Sequence, residues 1–397
     1  MQTMAQQVLV YRLTGSATAL GMVSFIALIP LIPLGLIGGS IIDRFSRRGI
    51  LIFTQVMLMA QAFLLAALTY TGAIEVWHVY ALSLVLGAVN AIDVPARQAF
   101  TVDMVEGKED LTNAIGLNSA MFNGARALGP AMAGLAVAAT GESTAFLING
   151  LTFVSVIISL AMMRNLPRLP RPAVKQVHAG SHIFEGLRFV RGRRDMLYLV
   201  ALVGVSAFLS MPYSTLMPVF AENVLGASAR PVVDAVCNTG LLTCQSPEAV
   251  PLGALLTVVG IGALIGALVV ASLPGSAHRG KLLTLGNLMF PALLLLFALS
   301  RSFLASMVIL LLIGISFVTQ NALANTLIQM VSPDELRGRV MGVYSMVMMS
   351  SMRLGGLQAG LVADAFSAPI SVGFGALLSM IFGAFVALRV PEVRRLK

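Results

Sequence analysis

GGSIIDRFSRRG, Gly38 to Gly49, stands between two long apolar runs, and its reading decides what kind of chain this is. An acid beside three arginines, in a loop too short to be a domain, marks a hinge between two membrane spans. Arg44, Arg47 and Arg48 place that hinge in the cytoplasm, because cationic loops resist translocation, and the glycines ahead of it let helices approach closely.

Outward from that loop the composition agrees. Of the 397 residues, 57% are hydrophobic and 11% charged, with mean hydropathy +0.90, which excludes a water-exposed surface and with it a soluble enzyme. A helix needs about 20 apolar residues to cross the hydrocarbon core. Eleven such runs can be placed, at about 17–42, 50–72, 76–95, 114–139, 143–163, 196–221, 251–273, 282–300, 303–328, 338–364 and 369–389. Met1 to Leu13 makes a twelfth, incomplete one, counted as the first span.

All Lys and Arg but Arg12, Arg230, Arg301, Arg126 and Arg353 fall in alternate loops and the C-terminal tail. This puts both termini in the cytoplasm of a bacterial inner-membrane protein, and the net charge of +9 follows from sidedness, so no nucleic acid is expected as a partner. The partner that the spans do require is the lipid bilayer. The segment 166–195, polar and rich in Pro and Arg, reads as a cytoplasmic linker between an N-terminal half (1–165) and a C-terminal half (196–397). Within it, Ile183, Leu187 and Val190 recur at helical spacing and suggest an amphipathic surface helix. The halves repeat one another: Glu109-Asp110-Leu111 matches Asp334-Glu335-Leu336, and Leu128-Gly129-Pro130 to Gly134 matches Leu354-Gly355-Gly356 to Gly360.

The hinge resembles the signature loop between the second and third spans of the major facilitator superfamily, with Gly39, Asp43, Arg44, Arg47 and Arg48 matching and Ser46 in place of a glycine. YRLTGSATALG from Tyr11, DVPARQAF from Asp93, LTNAIGLNSAMFNGARALGPAMAG from Leu111 and SPDELRGRVMG from Ser332 are similar to the branch that holds the enterobactin exporter and related bacterial efflux proteins. The resemblance implies an all-α membrane fold of two six-helix halves with the substrate site between them near the midplane. It implies secondary-active, proton-coupled export of a small organic molecule, siderophore or drug-like, by alternating access in a monomer. Within the fold a lysolipid transporter is the alternative, and a non-transporting sensor or scaffold is another. The first span of the family begins well before the point matching Met1, so the native start is expected upstream, with the first helix truncated here.

The resemblance also assigns roles. Asp43 is expected to bias two conformations by sitting on the N-terminus of the eleventh span. Asp93, within reach of the Arg44–Arg48 cluster, would complete a breakable Asp–Arg–Asp network, the alternative being a static ion cluster. Asn90, Ser210, Tyr213, Gln320, Asn321 and Asn325 fall on spans that line the cavity in this fold; they are candidates for the substrate wall or for interhelical hydrogen bonds. Gly124, Gly129, Pro130 and Gly134 resemble the helix-bending Gly-Pro motif of antiporters and favour export over import.

From the residues themselves, Arg126 and Arg353 are costly inside a membrane. They serve either an anionic substrate or helix packing through backbone carbonyls. Cys237 and Cys244, in a long loop on the outer face, are expected to form a disulfide. His78, His178, His182 and His278 make no metal-ligand spacing with them, P-loop and dinucleotide patterns are absent, and no cofactor, metal or covalent catalysis is expected.

Overall fold

The computed structural model describes residues 2–31, 33–35, 42, 44–104, 108–163, 179–237, 244–273 and 278–395. Among the described residues every regular element is helical: α1 Gln2–Thr14, α2 Ala17–Ile26, α3 Arg47–Tyr70, α4 Val76–Asp103, α5 Lys108–Met162, α6 Ala179–Gly192 and α7 Arg194–Val205. After a broken segment come α8 Gly226–Cys237, α9 Ala249–Ala271, α10 Arg279–Leu299, α11 Phe303–Val331, α12 Asp334–Ala365, α13 Ala368–Arg389 and α14 Pro391–Arg395.

Local chemistry sets the ends. Ser16 and Ser46 are extended residues whose hydroxyls accept from the N–H of Ala19 at 3.2 Å and of Gly49 at 3.3 Å, capping α2 and α3. α5 runs through the expected break near residues 139–143 and is divided at Gly141, whose φ of 77° is open to glycine at little cost. α4 extends past Pro95 to Asp103, two turns beyond the apolar run, because its last turns carry polar residues that a hydropathy reading discards.

Eight helices among the described residues are long and apolar enough to cross a membrane, against eleven apolar runs in the sequence. The difference has three causes. The described part of α2 is ten residues long, α5 joins two runs into one element, and α12, though 32 residues long, carries Arg353 and Asp364 and several charges near its start. Large apolar side chains such as Phe53, Leu299, Leu304 and Leu388 stand exposed around the bundle, as lipid contact requires, with Tyr70 and Trp77 at one rim.

The segment after α7 is irregular where a regular span was expected. A π turn, 206–210, passes into a 3₁₀ turn, 211–214, and a second π turn, 220–224, closes it. Pro212 and Pro218 have no N–H to give the carbonyls of Phe208 and Ser214, so the α ladder cannot run through.

The packing is uneven along the molecule. Call the end bearing Gly15, Gly141 and Cys237 the disulfide end, and the other, where α3 and α12 start, the arginine-rich end. Toward the disulfide end one core runs without a break from Met4, Leu9 and Phe146 to Phe220, Leu252 and Phe297. Among the described residues it is divided at the arginine-rich end: one cluster gathers Ile50, Phe100 and Leu160, and a separate one Leu199, Leu327 and Val390.

Candidate functional site

Among the described residues, two glycine seams join α1–α5 to the helices after α7, and both depend on missing side chains. On α5 and α9, a Cβ on Gly134 would stand 2.7 Å from Gly253 Cα, so the two backbones touch. On α2 and α12, a Cβ on Gly21 would stand 2.4 Å from the Gly356 carbonyl, and one on Gly360 2.5 Å from that of Ala17. Without a hydrophobic force between helices in lipid, such contact is what holds them together. Of the Gly-Pro motif, Gly134 makes the seam with Pro130 beside it, while Gly124 and Gly129 face open space.

Arg353 lies on the α2–α12 seam and donates from Nη1 to the Ser24 carbonyl at 3.2 Å, tying one helix to the other. One turn and two turns toward the arginine-rich end on the same face of α12, Met349 and Met346 are 47% and 44% exposed. Arg126 belongs to α5, and its side chain lies outside the described residues.

The hinge arginines have structural partners. Arg48 donates from Nε to the Leu160 carbonyl at 2.7 Å and from Nη2 to that of Ala161 at 2.6 Å, and Arg47 donates to the Ala99 carbonyl at 3.1 Å. These carbonyls belong to the last turns of α5 and α4, where orphan acceptors and the helix dipole favour a cation. Arg44 is exposed, and Asp43 lies outside the described residues.

The expected contact of Asp93 with the Arg44–Arg48 cluster is replaced by another. Asp93 is 4% exposed; its Oδ1 accepts from Thr54 Oγ1 at 2.6 Å and Gln55 Nε2 at 2.9 Å, and its Oδ2 from Arg97 Nη2 at 2.9 Å. The cause is geometric: α4 continues to Asp103, nearly three turns past Asp93, which draws it back from the hinge and sets Arg97, four residues on, beside it.

The six cavity candidates lie on α4, on the broken segment after α7 and on α11. Gln320 is buried and donates to Asn287 Oδ1 at 2.7 Å, a bond between α11 and α10. Tyr213 is buried with its ring edge on Phe290, and Ser210 is buried with a hydroxyl that has no partner among the described residues. Asn321 donates to the Phe317 carbonyl of its own helix at 3.1 Å, and Asn325 accepts from Gln329 one turn on. Asn90 is half-buried on α4.

Sequence reasoning passed over several groups. A chain of amides binds α1 into its neighbours: Gln2 donates to Gln61 at 2.7 Å and accepts from Asn149 at 2.8 Å, and Gln6 donates to Ser83 at 2.8 Å. Lone glutamines in apolar runs were the available signal. Arg12 pairs with the buried Glu142 at 2.9 Å, next to the Gly141 break. The disulfide expected from the sequence does join Cys237 to Cys244, with Cα atoms 5.4 Å apart. Asp364 reaches across to α2.

Long lipid-exposed helices, two glycine seams between helix groups and a core divided at one end define a multi-pass membrane transport protein. Residues 1–356 match the Major Facilitator Superfamily, and the chain belongs to that family. It is 25% identical over 367 residues to the enterobactin exporter EntS of Shigella boydii serotype 18, covering 91% of this chain and 81% of that one. It is 27% identical over 211 residues to the staphyloferrin A transporter of Staphylococcus aureus strain NCTC 8325, 53% of this chain and about half (52%) of that protein's length. Among solved structures, the nucleoside transporter NupG superposes with a TM-score of 0.71 at 12% identity, covering 98% of this chain and 95% of that one. A bacterial homologue of the human lysosomal transporter Spinster, inward-facing and occupied, superposes at 0.68 with 15% identity, covering 100% and 92%.

Proposed function

We propose that this protein is a secondary-active exporter of a small organic molecule of the siderophore class, working by alternating access with a proton as counter-ion. The observation that carries the reading is the division of the core: continuous across the molecule toward the disulfide end, split in two at the arginine-rich end. A substrate would enter the split and leave when the seams part. The names of the curated relatives, a siderophore exporter and a siderophore transporter, supply the substrate class.

In this reading residues 1–165 and 196–397 are the moving halves, 166–195 links them, and a monomer suffices. The arginine-rich end faces the cytoplasm and the disulfide end the outside of a bacterial inner membrane, with both ends of this chain inside. Arg353, at the blind end of the split with Met346 and Met349 leading to it, is the anchor for an anionic group; methionines suit a site for ligands of varied shape. Asp43 retains the switching role assigned from its motif.

The test is transport into proteoliposomes under an imposed pH gradient, with a catecholate, a citrate-type carboxylate and a neutral drug-like compound side by side. Gradient-dependent uptake of either anionic chelator is expected. Uptake that ignores the pH gradient would remove the proton, and no uptake of any compound would remove the exporter reading.

A further inference from the structure

Asp364 ends α12 at the disulfide end and directs both carboxylate oxygens at the start of α2. Its Oδ2 accepts from Ser16 Oγ at 2.5 Å and from the Thr18 N–H at 2.9 Å, and its Oδ1 from the Ala17 N–H at 2.8 Å. The first N–H groups of a helix have no partner within it, and the helix dipole makes that end a favourable place for an anion. α2 already has a cap of its own in Ser16. Asp364 adds a second from a helix 348 residues further along the chain, on the opposite side of the seam.

That placement distinguishes it from an ordinary cap. A cap within one helix contributes equally in every conformation of the protein. One supplied by α12 contributes only while α12 and α2 are together. Below it on α12, Gly360, Gly356 and Arg353 follow at steps of three or four residues, meeting Ala17, Gly21 and Ser24 in turn. Asp364 therefore stands over the mouth of the seam. A cleft of about 490 Å³ lined by Tyr11, Asn223, Arg301 and Ser367 brings solution to it, so water can take over its hydrogen bonds when they part. Ser16 and Thr18 bonds to Asp364 are exposed, while Gly21, Gly356 and Gly360 beneath are not.

We propose that Asp364 is the outer latch of the transporter: its carboxylate, bound to the N-terminus of α2, holds the disulfide end shut and must be released for that end to open. The proposal rests on the alternating-access reading for the need to open, and not on the identity of the substrate. It makes Asp364 a positioning residue that touches no cargo.

The experiment reads the gate directly. In a background with Cys237 and Cys244 changed to Ser, Ser24→Cys reports the seam, and intact cells are labelled with a membrane-impermeant maleimide. Asp364→Asn is expected to raise the labelling rate of Ser24→Cys by about 3- to 30-fold, the range that loss of a helix cap implies. Ser16→Ala should give a smaller rise, and Asp234→Asn, an exposed carboxylate on α8, none. Arg230→Cys on the same surface helix checks that this end faces out, so a wrong orientation is separated from a wrong latch. Leu65→Cys, buried in the core of α3, checks for general loosening. Unchanged Ser24→Cys labelling in Asp364→Asn, with Arg230→Cys reactive, would overturn the latch, as would an equal rise at Leu65→Cys.

Discussion

Asp93 shows how a charge can be legible while its use is not. An acid in DVPARQAF invites a cation; the hinge cluster is the one expected, and Arg97, four residues on, is the one found. What the sequence could not show is that Thr54 and Gln55, 39 and 38 residues earlier, would meet the other oxygen. The carboxylate is thus a knot between α3 and α4, and Asp93→Asn should lower stability by about 1–3 kcal/mol, the cost of disturbing a buried, satisfied acceptor. A thermal shift in detergent measures it, and an unshifted midpoint would show that the knot carries no weight. Asp364 was harder to read still, because its acceptors face backbone N–H groups, which have no sequence signature. Arg353 has one carbonyl partner, Ser24, and its remaining N–H groups point the substrate argument. Arg353→Ala should cut export of anionic substrates about tenfold or more, as loss of a charge-assisted bond worth about 1.5–3 kcal/mol implies, and leave neutral ones near the parent rate. Equal losses for both would assign the residue to the seam instead.

At the scale of elements, hydropathy found the helices and misjudged those that polar residues interrupt. α12 is the clearest case: as a helix it is long enough to span, and its charges are what bind it to α2. The broken segment after α7 announced itself through Pro212 and Pro218, but which of the possible distortions follows depends on packing that the sequence does not contain. Seams behave likewise: Gly134 stood out in the Gly-Pro motif, whereas its partner Gly253 was one glycine among the 37 in the chain. Gly253→Val should separate α5 from α9, costing about 1–3 kcal/mol by overpacking and reducing transport at matched expression; full activity would mean the seam is free to widen. The disulfide links cysteines only seven residues apart in sequence, so Cys237→Ser with Cys244→Ser should lower stability by about 2 kcal/mol, the loop-entropy value for so few residues. Melting with and without reductant measures this, and reductant should no longer matter in the double variant.

For the whole molecule the decisive asymmetry is that the two ends are packed differently, and no reading of composition or periodicity could have found it. Each half buries its own apolar stripe at the arginine-rich end, around Phe100 in one and Leu327 in the other, while residues of both meet around Leu9 and Phe220 toward the disulfide end. In the proposed alternating-access cycle such a shape is one member of a pair, and the energy difference between members is set by the contacts present in only one of them. Those contacts include the glycine seams, the Arg353 bond to Ser24 and the Asp364 bonds to α2. Met349 and Met346 stand exposed one and two turns from Arg353 on the same face of α12, so in the proposed cycle they report the state of the arginine-rich end. With Cys237 and Cys244 changed to Ser, Met349→Cys should react with an impermeant maleimide in inside-out vesicles at least tenfold faster than in right-side-out ones, and bound substrate should slow it. Adding Asp364→Asn should narrow that ratio by shifting molecules toward the opposite shape, a change of about one to thirty in population for each 2 kcal/mol removed. Equal reaction from both sides in the parent would mean that the split is not the path by which substrate enters.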